Sequence, residues 1–151
     1  MAMKRSLAGW IGVDPGKTGA IAIVRPDMTA EVWGFKNRTG QEISGLFENL
    51  KAQGPVIACL EKVNAMPRQG VSSSFTFGKM AGFAEMALIA HQIPFRFVSP
   101  AKWQRKLDCL TKGDKKVSKH RASQLFPDVK LTLDIADALL IAYYAKISEE
   151  I

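Results

Sequence analysis

The stretch Val56 to Glu61 limits the fold more than any other part of this chain. Val56, Ala58 and Leu60 fall on one face of an extended strand, and Ile57 and Cys59 fall on the other. A strand that is apolar on both faces has no side to offer water, so it belongs in a sheet covered by helices on both sides. It also ends in an acid, and a carboxylate at the edge of such a sheet is costly unless it is paired or holds a cation.

The rest of the chain reads as elements around that strand. Trp10 to Asp14, Ala20 to Arg25 and Thr29 to Phe35 form a β-meander, with turn chemistry at Pro15-Gly16-Lys17-Thr18-Gly19 and Pro26-Asp27. Ile43, Leu46, Phe47 and Leu50 recur at helical spacing between Thr39 and Ala52, before the Gly54-Pro55 stop. Lys62 to Ser74 reads as a mobile loop, Phe75 to His91 as an Ala/Met-rich helix, and Phe95 to Val98 as a short strand. Pro100 suits the first turn of a helix, and a lysine-dense stretch over 111–119 feeds a helix ending near Phe126-Pro127. The last helix starts at about Asp134, with Ala138, Ile141, Ala142 and Ala145 on its packing side. In summary the order is β-β-β-α-β-α-β-α-α, an α/β fold with a mixed five-stranded sheet and helices on both faces, as one domain spanning 1–151.

Four acids stand out against this background. Asp14 ends the first strand, where open α/β sheets place ligands, although Asp-Pro-Gly is also a common turn. Glu61 ends the doubly apolar strand. Asp134 and Asp137 are three residues apart and project from one face if the helix begins there, although acids in a first turn also act as caps. Separate segments deliver these acids to places where like charges repel unless a cation intervenes. Convergence of the four suits two Mg²⁺ ions, with Mn²⁺ as a substitute, because hard cations prefer oxygen ligands. Two such ions serve in-line phosphoryl transfer.

The charge agrees with a polyanionic partner. Among 151 residues, 21 are Lys or Arg and 14 are Asp or Glu, giving a net charge of +7. Lys62, Arg68 and Lys79 flank the loop; Lys102, Arg105 and Lys106 share one helix; Lys112, Lys115, Lys116, Lys119 and Arg121 gather near another. They read as a phosphate track or as a solvated face. Trp103 and Phe75 are candidates for stacking on bases, although a core or an interface is the commoner place for such residues. Two cysteines and two histidines do not suggest a zinc site. The basic start has no apolar signal region and no run approaches a membrane span, so a cytoplasmic protein is expected.

Four segments carry a resemblance. Ile11-Gly12-Val13-Asp14-Pro15-Gly16, Leu60-Glu61-Lys62-Val63, Val98-Ser99-Pro100-Ala101-Lys102-Trp103-Gln104 and Asp134-Ile135-Ala136-Asp137-Ala138-Leu139-Leu140-Ile141-Ala142 resemble, in order and spacing, RuvC-type Holliday-junction resolvases. The resemblance implies a ribonuclease-H-like fold and a homodimer. It also implies Mg²⁺-dependent, symmetric nicking of four-way DNA junctions in recombination and repair. It places the catalytic, metal-holding acids at Asp14, Glu61, Asp134 and Asp137, and basic or DNA-contact positions at Lys102 or Gln104 and at Lys115 or Lys116. Asn64 stands where bacterial members carry an aromatic residue, so junction stacking would fall to Met66 or Phe75. The 65–70 loop looks more like phage-type or divergent members, and nothing in the sequence identifies a branch-migration helicase partner. Other readings remain: a flap or RNA/DNA-hybrid nuclease, a non-catalytic junction-binding module, or an actin-like phosphotransferase, whose phosphate hairpin residues 14–19 also resemble.

Overall fold

The first strand, β1 (Gly9–Asp14), lies at the centre of a five-stranded sheet in the order β3-β2-β1-β4-β5. This computed structural model describes residues 6–64 and 70–148. β2 (Ala20–Val24) and β3 (Ala30–Gly34) continue the meander antiparallel, whereas β4 (Val56–Glu61) and β5 (Phe95–Val98) run parallel to β1. Each of the five strands lies within one residue of its expected bounds.

Both faces are covered, as the pattern of β4 requires. Ile11, Val13, Ala58 and Leu60 pack under α1 (Gly40–Ala52) and α2 (Val71–Ala90). Cys59 on the opposite face packs with Trp103, Leu140 and Ile141, from α3 (Pro100–Lys106) and α5 (Ala136–Ile147). Ala122 of α4 (Lys115–Leu125) joins the same cluster. No helix of the described residues is long and apolar enough to cross a membrane.

Three differences from the sequence reading have physical causes. Three helices follow β5, as the segments at Pro100, before Phe126-Pro127 and from about Asp134 describe, one more than the order β-β-β-α-β-α-β-α-α counts; Asp108, Lys112 and Gly113 adopt positive φ and separate α3 from α4. Helix α2 begins at Val71 rather than Phe75, so Ser72 to Ser74 form its first turn. Serines are weak helix formers without apolar periodicity, and Gly70 supplies no side-chain cap, so the sequence leaves this start unmarked. Helix α5 begins at Ala136, leaving Asp134 in the preceding turn. Asp134 and Asp137 are therefore not a pair on one helix face, and neither side chain caps the helix, whose N-cap is Ile135.

Helix α5 is buried along most of its length, including Ala138, Leu139, Ile141, Ala142 and Ala145. It lies on the sheet with backbone almost touching backbone at Gly12. A Cβ there would come within 2.2 Å of Ala142 N and 2.3 Å of Ala138 O. Gly12→Ala is expected to destabilise the protein by about 3 kcal/mol or more, because the clash is with main chain that cannot rotate away. Gly45→Ala in α1, where the added methyl meets nothing within 4 Å, should instead be neutral or stabilise by up to about 1 kcal/mol. Thermal or urea melts of the two variants test the difference.

Candidate active site

Register brings the acids of β1 and β4 to one end of the sheet. Val13 pairs with Leu60 in the parallel ladder, so the next residues, Asp14 and Glu61, end neighbouring strands on the face covered by α5. The hairpin after Asp14 turns through Gly16 at φ +130°, a conformation that side chains rarely adopt. The first turn of α5 then brings Asp137 to the same place.

Asp14, Glu61 and Asp137 line one cleft of about 540 Å³ with Lys115 and the 15–19 turn. The sequence reading missed the fourth wall: Ser72, Ser73, Thr76 and Phe77 from the start of α2. Asp134 is half-buried outside this lining, yet close enough to act electrostatically on Asp14.

The acids disfavour one another's ionisation. Burial first, then repulsion from Glu61 and Asp137, raises the Asp14 carboxyl well above its ordinary value; Lys115 opposes this, and Asp134 adds to it. Burial pushes Glu61 up to about 7, with Asp137 adding to the rise, while the Trp103 indole N–H and Lys115 pull it down. Asp137 is raised by burial against the pull of Ser118 and Lys115. Its Oδ1 is buried without a hydrogen-bond partner.

Trp103 has a structural task here. It is fully buried, so it cannot stack on bases from this position, and its Nε1 donates to Glu61 Oε2 at 2.7 Å. Among the described residues the one ion pair, Arg25 with Glu31, lies elsewhere, so Glu61 is held by an indole and not by a salt bridge. Phe75, by contrast, is 74% exposed and belongs to no core.

Among the described residues, no group of three or more His, Cys, Asp or Glu side chains is arranged so that it could hold a metal ion. The donor chemistry nonetheless fits a hard divalent cation. Three carboxylates face one cleft, their mutual repulsion favours protonation in a cation's absence, and Asp137 Oδ1 lacks a partner. Asp14, Glu61 and Asp137 are the residues whose carboxylates would hold such an ion.

The basic candidates are dispersed. Lys115 enters the acidic cleft, and Lys62 lines a neighbouring one with Phe97 and Glu85. Lys79 is exposed on α2, with its ammonium 5.6 Å from the Phe83 ring centroid. Lys102 and Arg105 line a separate basic cleft, whereas Lys116 and Lys119 line another beside His120. Gln104 is buried, its Oε1 accepting from Thr111 N and Oγ1, and so braces the chain after α3. Arg68 and Met66 lie outside the described residues.

Neither a family model nor a curated protein matches the sequence. Among solved structures, the fold matches Thermus thermophilus RuvC in complex with a Holliday junction substrate at a TM-score of 0.61 and 17% identity, over 90% of each chain. A second structure of Thermus thermophilus RuvC matches at a TM-score of 0.60 and 16% identity, over 90% of this chain and 92% of that one. The fold is thus of RuvC type, within the ribonuclease-H-like architecture. At these identities the likeness is one of fold.

The raised carboxyls fix the sign of a pH effect. Glu61 ionises near 4.5 when unfolded and near 7 when folded, so between these values the folded state binds more protons. Stability from this group is full below about 4.5 and is lost as pH rises through about 7; Asp14, also raised, acts in the same direction. Metal-free protein should melt several degrees higher at pH 5 than at pH 8. Asp14→Asn should flatten that dependence, as calorimetry in EDTA would read.

Proposed function

We propose that this protein is a divalent-metal-dependent endonuclease that hydrolyses phosphodiester bonds in branched DNA, with the four-way junction as its principal substrate. The observation that carries the reading is the convergence of Asp14, Glu61 and Asp137 on one cleft. The RuvC-type fold supports it, since one matching structure is a complex with a Holliday junction substrate.

In this reading Asp14, Glu61 and Asp137 hold two Mg²⁺ ions, with Asp134 contributing from the margin and Mn²⁺ able to substitute. Bound there, such ions would supply water activation and stabilise the departing 3′ oxygen. The chain's own residues set the stage for hydrolysis. Trp103 fixes the Glu61 carboxylate through its indole N–H, Lys115 offsets the negative charge, and the hydroxyls of Ser72, Ser73 and Thr76 border the strand's path. DNA is drawn to the protein by its net charge of +7.

Asp14→Asn and Glu61→Gln should each lower cleavage of a synthetic four-way junction by at least about 10³-fold, the scale of losing a principal electrostatic contributor, while junction binding persists. Wild-type nicking rates in either variant would refute the site. A substrate panel of four-way junction, fork, flap, RNA/DNA hybrid and linear duplex, each with Mg²⁺, tests the substrate. Preference for the hybrid or the flap would replace the junction reading with another nuclease of the same fold.

Paired nicks require two sites related by a two-fold axis, so the working form is a homodimer. Helix α2 offers the surface: Phe83, Met86 and Ile89 are exposed at helical spacing beside an apolar groove that reaches Ile43 of α1. Phe83→Glu should shift the protein to monomers in sedimentation velocity and abolish coordinated opposite-strand nicking. A wild-type protein that is monomeric at working concentration and still makes paired nicks would overturn this assignment.

A further inference from the structure

We propose that a second cleft, on the side of α3 away from Glu61, is a binding site for DNA backbone phosphates distant from the bond being cut. This inference rests on DNA as the substrate, as proposed above. The cleft, about 680 Å³, lies between the edge strand β5, helix α3 and the end of α5. Arg96, Lys102, Arg105 and Lys106 line it, and no carboxylate does so among the described residues.

The cleft is built around Arg96. Its Nη2 donates to Ser148 Oγ at 3.2 Å, and its guanidinium carbon stands 6.0 Å from the Tyr144 ring centroid. Ser148 Oγ in turn donates to the Tyr144 carbonyl, so the last turn of α5 holds the guanidinium's seat. A guanidinium held in this way loses little freedom on meeting a phosphate, which its planar fork matches. Lys102, Arg105 and Lys106 are exposed and fall at helical spacings of three and four, on the side of α3 that its buried residues, Trp103 and Gln104, leave free. Four cations facing a concave surface raise the local potential and favour a polyanion.

Helix α3 therefore serves two sites. Trp103 on its inner side holds Glu61, and the cations on its outer side form the second cleft. The two clefts share no lining residue. Tyr144 lies seven residues beyond Asp137 on α5, about 10 Å along the helix axis. The cleft thus engages phosphates beyond the reacting one and fixes the register of the bound DNA.

The test is binding of a synthetic four-way junction in EDTA, over a range of salt concentrations, by the full chain. Arg96→Gln and Lys106→Gln should each weaken binding several-fold and reduce the slope of log K against log salt by about 0.9, the contribution of one neutralised phosphate. Lys51→Gln removes equal charge at the end of α1, away from both clefts, and should leave the slope unchanged. If Arg96→Gln does not fold, Lys106→Gln on the exposed side of α3 reads the same quantity.

Wild-type slopes in the cleft variants, or an equal fall in Lys51→Gln, would overturn the proposal. Glu149 and Glu150 follow Ser148 in the sequence, so the Arg96 effect is also measured in an E149Q/E150Q background. An effect appearing only there would show that the chain's own carboxylates occupy the cleft, and would also overturn the proposal. Failure of the wild-type protein to bind any DNA would instead overturn the functional reading on which this one rests.

Discussion

The backbone contact between α5 and β1 at Gly12 is the constraint that the remaining structure obeys. A helix can lie this close to a sheet only where the facing residues are small. Gly12, Ala20 and Ala22 of the sheet meet Ala138 and Ala142 of the helix. This depth of seating carries Asp137 down to the level of Asp14. A bulkier residue at position 12 would lift the helix and withdraw one of the acids from the cleft. The dry packing and the chemistry are thus one geometric fact.

Once assembled, the acids conflict with folding. Three carboxylates in a half-dry cleft keep their protons more strongly than free carboxyls do, and the cost of ionising them falls on the native state. The fold tolerates this because the acids sit at the margin of the sheet, where Lys115 and the Trp103 indole each offset part of the repulsion. A local conflict held in place by a rigid scaffold marks the cleft as a candidate functional site. Trp103 joins the two halves of this arrangement, since it packs in the core beneath α5 and reaches Glu61 with its one polar atom.

The strands and their order were largely legible because they depend on local signals. The apolar runs of β1 and β2, the two-sided apolarity of β4 and the turn residues between them are visible within short windows. The start of α2 was not legible, because Ser72 to Ser74 are helical only in the context of the cleft they border. Asp134 was misplaced for a related reason. An acid three residues before another fits a helix pattern equally well whether the helix starts with it or two residues later. The basic residues form clusters along the chain, yet the fold distributes them among separate clefts, a division that depends on helix orientation.

The sequence alone determined the α/β class, the covered sheet and the identity of the acids worth following, since hydrophobic period and residue chemistry are local properties. Tertiary structure decided which acids meet, because their meeting depends on the parallel register of β1 with β4 and on the depth of α5 over Gly12. It also decided that Trp103 turns inward to Glu61 while its neighbours Lys102, Arg105 and Lys106 face another cleft. A side chain's partner is set by which surfaces the core brings together, and that arrangement is a property of the whole chain.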